Sequence, residues 1–133
     1  MPMAVNLSST ISASRSPPDP RAVLAKAVLR AAHLLGMSNR ELAQVIGVSQ
    51  PVVSRMDRQG APLPPDPKKL ELATLFVRVY RSLDAIVGGD DHAAAAWLRA
   101  DNTALGRKPI EAIRSIAGLL DTLAYLDARR AVL

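Results

Sequence analysis

The sequence contains no cysteine. That excludes a disulfide framework, cysteine-ligated zinc and thiol catalysis, and it suits a reducing compartment such as the cytoplasm, where we expect the protein to act. Aromatic residues are scarce: one Trp, two Tyr and one Phe in 133 residues. No apolar run approaches the roughly 18 residues that a membrane-spanning helix needs, so no membrane partner is expected. There are two histidines, His33 and His92, far apart in the chain. His33 sits in an apolar stretch and reads as a boundary residue. Asp90-Asp91-His92 hints at a metal, but adjacent side chains at a helix start diverge, and a helix cap explains them. No glycine-rich phosphate loop and no Ser/His/Asp arrangement is present. Catalysis, a metal and a cofactor are all unexpected.

What is present is ordinary for a globular chain: 49% apolar and 22% charged residues, in a length that can bury roughly two-thirds of its unfolded surface. The net charge of +5 is unevenly spread. Residues 1–60 hold seven Lys or Arg against three Asp or Glu, whereas residues 61–133 hold ten against nine. The basic excess in the first half fits a polyanionic partner, because neutralised phosphates release counterions. At the N-terminus a basic start followed by an apolar block is missing, so residues 1–19 do not read as a secretory signal. Their Ser, Thr and Pro content suggests a mobile arm, assigned to residues 1–18.

Punctuation along the chain predicts an all-α fold of six to seven helices. Asp19-Pro20 opens the first, which Gly36 ends. Ser38-Asn39-Arg40-Glu41 has the form of a capping box, in which Ser and Glu side chains each satisfy a backbone N–H. The second helix then runs to Ile46 and stops at Gly47. Ser49 can cap a third, reaching about Arg58. Residues 60–65 are proline-rich and read as an extended linker. A long helix is expected over 66–87, with Leu72, Phe76, Val79, Leu83 and Ile86 forming one apolar row. A second row, Ala73, Val77, Tyr80 and Val87, can face either the core or a second protomer. A short alanine-rich helix over 93–100, a loop over 102–108, a restart at Pro109 and a junction at Gly118 complete the reading.

Residues 39–56 have the spacing of a helix-turn-helix. Ala43 is the small residue two crossing helices require, and Gly47 supplies the positive φ of the turn. Leu42, Ile46, Val48, Val53 and Met56 form the inward set. At 100° per residue, with Ser49 also inward, Pro51, Ser54, Arg55 and Arg58 point outward and Gln50 lies at the edge. Polar side chains at the start of such a second helix suit major-groove reading, Gln50 toward adenine and Arg55 toward guanine. Asn39 and Arg40 are placed for phosphates. The candidate DNA-binding set is therefore Asn39, Arg40, Ser49, Gln50, Pro51, Ser54, Arg55 and Arg58. A helical hairpin with a merely polar outer face is the competing reading.

Residues 96–113 carry Trp97-Leu98, Asn102, Leu105-Gly106 and Pro109-Ile110 before an apolar helix. Trp97 reads as a packing anchor, Asn102 as a turn former, Gly106 as the corner and Pro109 as a helix start. This stretch resembles the toxin-binding domain of the Xre/MbcA/ParS antitoxin family, in which an Xre-like helix-turn-helix precedes it, as here. The resemblance implies an antitoxin of a RES-Xre toxin–antitoxin system that neutralises an NAD-depleting RES-domain toxin and represses its own operon. It also implies that the antitoxin's C-terminal end reaches the toxin's active-site cleft. Carried onto this chain, that points to Asp127, Arg129, Arg130, Val132 and Leu133. Arg129 and Arg130 can pair with toxin carboxylates, or can simply complement a helix C-terminus. Two departures from the family pattern are Arg107, where many relatives have a second glycine, and a tail without glycine.

The expected organisation is an arm (1–18), a helix-turn-helix domain with its linker (19–65), and the long helix with the toxin-binding domain (66–133). Expected partners are a RES-domain toxin, double-stranded operator DNA and a second copy of the chain, as a homodimer in a larger complex. Deleting residues 124–133 is expected to abolish neutralisation while sparing the fold and DNA binding. The alternatives are a stand-alone transcriptional regulator whose C-terminal helices only dimerise, and an interaction protein whose helix-turn-helix serves only dimerisation.

Overall fold

Asp19 starts the first helix as read, its carboxylate accepting the Arg21 N–H at 2.9 Å. The computed structural model describes residues 17–132; these form seven α-helices, with no strand among the described residues. The arm assigned to residues 1–18 lies outside them except for Pro17 and Pro18, both exposed. Helix α1 (Pro20–Leu34) is followed by α2 (Asn39–Ile46) and α3 (Gln50–Gln59). The capping box forms in full. Ser38 Oγ accepts the Glu41 N–H at 3.1 Å, and the Glu41 carboxylate accepts the Ser38 N–H at 3.0 Å. Gly47 ends α2 with φ of 74°, the left-handed conformation the turn demands.

The linker is more than a spacer. Leu63 is fully buried, and its carbonyl accepts a 2.8 Å bond from the Arg21 guanidinium while its N–H donates to the Arg21 carbonyl at 3.3 Å. The proline-rich segment is thereby fastened to α1, and it delivers the chain to Asp66, which caps α4 (Pro67–Ile86) by accepting the Lys68 N–H at 2.9 Å.

Helix α4 is the centre of the molecule. Leu72, Phe76, Val79 and Leu83 of its first row are buried, and so are Ala73 and Val77 of the second, with Ile86 of the first and Tyr80 and Val87 of the second half-buried against the same core. One side packs on α1 and the other on α7 (Ile116–Ala131). The second row is covered by the chain itself at Ala73 and Val77 and only in part at Tyr80 and Val87. Flanked on two sides, α4 still keeps one polar stripe, Glu71, Thr74, Arg78 and Arg81, exposed to solvent.

Helix α5 (Asp91–Arg99) begins two residues before its expected start, because Asp90 accepts the Ala93 N–H at 3.0 Å and so caps earlier. Only a single turn, α6 (Pro109–Ala112), follows the loop. The junction expected at Gly118 falls instead at residues 113–115. There Ser115 caps α7, its hydroxyl accepting the Gly118 N–H at 3.0 Å. Gly118 lies within the first turn of α7, where a Cβ would stand 1.7 Å from the Ala112 carbonyl oxygen. It is small because α6 and α7 touch there. Among the described residues two polar side chains are buried, and both are satisfied: Thr122 donates to the Gly118 carbonyl at 2.7 Å, and Ser82 donates to Asp127 at 2.7 Å. No helix among the described residues is long and apolar enough to cross a membrane.

Candidate functional site

Two stretches of surface concern function, and each is built by local rules. In α3, Val53 and Met56 are buried against α2, fixing the helix's rotation. Gln50, Pro51, Arg55 and Arg58 are consequently exposed, and Ser54 is half-buried. Arg40 is exposed and Asn39 half-buried at the entry of α2. Arg40, Arg55 and Arg58 take part in no ion pair among the described residues, so their charges are available to an outside anion.

Ser49 departs from its expected inward position: it is exposed, and its hydroxyl makes no capping bond. The cause is its neighbour. Pro51 has no N–H to offer, and the Val52 N–H already donates to the Ser49 carbonyl at 3.1 Å.

The second stretch is the C-terminal module. Trp97 of α5 stacks on Tyr125 of α7, ring centres 6.3 Å apart and planes inclined by 13°. Asn102 Oδ1 accepts the Leu105 N–H at 3.1 Å, Gly106 turns with φ of 72°, and Pro109 is buried as it opens α6. All four motif residues thus shape the corner joining α5 to α6 and α7.

The residues of the tail separate into two groups. Asp127 and Arg130 both engage Ser82 of α4, at 2.7 and 3.2 Å, and so dock the end of α7. Arg129 lies against Tyr125, its guanidinium 5.8 Å from the ring centre. Val132 is 81% exposed, and Leu133 lies outside the described residues. The deletion of 124–133 therefore does not spare the fold. It removes the buried Leu126 and the aromatic partner of Trp97, so the expectation of an intact fold is corrected. A cut after Arg130 leaves these contacts in place.

Two features escape a reading of the sequence. Ile116 and Leu120, one turn apart on the outer side of α7, are 39% and 49% exposed. Ile116 also borders a cleft with Leu72 in its wall and Lys68, Lys69 and Arg114 around it. The other feature is an ion pair across the molecule. Arg99, the last residue of α5, forks the Glu41 carboxylate at 3.0 and 2.9 Å and also donates to the Gly36 carbonyl at 2.9 Å.

The hydrogen bond from Arg99, reinforced by the Ser38 backbone, holds the Glu41 carboxyl down at about 2. A depressed carboxylate contributes stability that is fully present above its unfolded pKa, near 4.5, and is lost as pH falls through about 2. Acid titration of the unfolding free energy should therefore show a decline in this window. Glu41→Gln, which keeps an acceptor for the Ser38 N–H, should remove its share of that decline. An identical pH profile for the variant would contradict the assignment.

A helix-turn-helix with an open basic face, sharing one core with a second helical module, defines a DNA-binding protein that also carries a separate interaction domain. Residues 14–78 match the antitoxin Xre-like helix-turn-helix domain, and residues 82–131 match the antitoxin Xre/MbcA/ParS C-terminal toxin-binding domain. The chain belongs to the Xre/MbcA/ParS antitoxins: its front half is a DNA-binding helix-turn-helix domain and its rear half binds a toxin. The C-terminal helices are thus more than a dimerisation element. No match is found among curated proteins.

Proposed function

We propose that this antitoxin neutralises a RES-domain toxin that depletes NAD, and that in the cytoplasm it represses its own operon by binding operator DNA as a homodimer. The order of the two matched domains, together with the Trp97, Asn102, Gly106 and Pro109 pattern, supports the choice of toxin class. The observation that carries the reading is the division of the exposed surface. On α2 and α3, exposed arginines without an ion pair among the described residues (Arg40, Arg55, Arg58) stand beside amide and hydroxyl groups, while three of the four exposed large apolar side chains (Ile116, Leu120, Val132) lie on and just after α7, the fourth being Val23 on α1. DNA calls for the first kind of surface and a protein partner for the second.

In this reading Gln50, Ser54 and Arg55 meet base edges, with Ser49 and Pro51 beside them, while Asn39, Arg40 and Arg58 meet phosphates. The toxin seats on the outer side of α7, and the tail beyond Arg130 enters its cleft and excludes substrate. The working units are residues 19–65 for DNA and 66–133 for the toxin, with 1–18 as an arm.

Co-expression tests the toxin half. The reading frame beside this gene, expressed alone, should arrest growth and drain cellular NAD, and the antitoxin should reverse both. Arrest without a fall in NAD would exclude a RES-type toxin. For the DNA half, Arg55→Ala should cost about 1–3 kcal/mol at the operator and relax specificity at one base pair. Arg40→Ala should weaken all sequences alike and make the salt dependence shallower by about 0.9. Unchanged binding by Arg55→Ala in a titration at fixed salt would remove α3 from the groove.

A further inference from the structure

Arg99 belongs by sequence to the toxin-binding domain, yet its side chain ends on the DNA-binding one. Its two terminal nitrogens form three bonds: two to the carboxylate of Glu41 and one to the Gly36 carbonyl. Gly36 lies in the turn after α1, and Glu41 lies in the first turn of α2. The same Glu41 oxygen that meets Arg99 at 2.9 Å also accepts the Ser38 N–H at 3.0 Å. One guanidinium therefore braces the whole corner through which the chain enters α2. Asn39 and Arg40 sit inside that corner, between the two halves of the capping box.

We propose that Arg99 is a positioning residue for DNA binding: from the toxin-binding domain it holds the entry of α2, and with it Asn39 and Arg40, in the orientation that meets the phosphates. The inference rests on the DNA-binding role of the helix-turn-helix and not on the identity of the toxin. A planar fork suits the task, since two parallel bonds fix direction as well as distance. The capping box alone fixes α2 relative to its own preceding turn. Buried Leu42, Ala43, Val45 and Ile46 pack α2 on α3 and α4, and Arg99, itself partly exposed, adds a tie from the N-terminal end of α2 to α5. Phosphate contacts set the register of a helix-turn-helix on the duplex, so a small rotation of this corner shifts every base contact of α3.

The test uses the full chain and a duplex selected from a random library for binding the wild-type protein. Arg99→Ala should weaken binding about fivefold, at the low end of couplings between distant sites. The dependence of log K on log salt should keep its slope, since no phosphate contact is removed. Glu41→Gln keeps the oxygen shared by Ser38 and Arg99 but loses the charge and the second arm of the fork, and should show a smaller loss in the same direction. The double variant should bind like Arg99→Ala alone, because the Glu41 change acts only through the link that Arg99→Ala has already removed. Circular dichroism at the assay temperature establishes that each protein is folded. Unchanged affinity in a folded Arg99→Ala protein with a lower melting temperature would reduce Arg99 to a structural brace. A slope shallower by about 0.9 would make it a direct phosphate contact. Additive losses in the double variant would separate Arg99 from Glu41. Each of these three results overturns the proposal.

Discussion

Gly118→Ala should destabilise this protein by about 2–4 kcal/mol, the range of an over-packed core position. The sign is the informative part. At an unobstructed position inside a helix the same change is favourable by about 1 kcal/mol, because alanine restricts the unfolded chain and glycine does not. Here the added methyl would lie 1.7 Å from the Ala112 carbonyl oxygen and 2.6 Å from its carbonyl carbon. Both are backbone atoms and cannot swing aside. They belong to α6, whose Ile110, Ala112 and neighbouring Ile113 are themselves buried, so relief requires moving α6 off α7. A fall in melting temperature of about 10 °C is expected, with toxin binding impaired through displacement of α7. A melting temperature equal to or above that of the wild type would show that the two helices separate without loss, and the packing argument would fail.

Leu120→Asp should have the opposite profile, leaving stability nearly unchanged while reducing toxin affinity by about 30-fold or more. The side chain is already 49% exposed, and surface substitutions away from special features usually stay within about 0.5 kcal/mol. At a protein interface the same change places a charge in a desolvated apolar contact, where central residues commonly cost about 2 kcal/mol or more when lost. Ile116→Asp should act in the same direction, with a slightly larger stability cost because more of Ile116 is covered. Its position in the first turn of α7 moderates that cost, since an acidic side chain is favourable at a helix N-terminus. Calorimetric titration of the toxin into each variant gives the measurement. Wild-type affinity in both would move the toxin interface elsewhere on residues 82–131.

Much of the architecture was legible from residue order because helix boundaries are set within four residues. Asp19, Ser38, Asp66 and Asp90 each bond an N–H two or three positions onward, and side chains at such spacing meet whatever the rest of the chain does. The rotation of α3 was legible for a related reason: Val53 and Met56 repeat at helical spacing and face the core formed with α2 and α1. Ser49 shows where that logic stops, since Pro51 has no N–H and the Val52 N–H, three residues on, donates to the Ser49 carbonyl instead.

The spacing of caps, turn glycines and apolar rows determined by itself that this chain is all-helical and carries a helix-turn-helix, and the motif at residues 97–109 pointed to its antitoxin family. Tertiary structure alone decided what crosses between elements. It turned the linker's Leu63 into core, buried most of both rows of α4, and made Gly118 a contact point. It also set Arg99 on Glu41 across 58 positions. The physical reason is range. A cap or a helical face is a property of neighbouring residues, whereas a guanidinium finds its carboxylate only after α4 has packed α1 and α7 against its two sides.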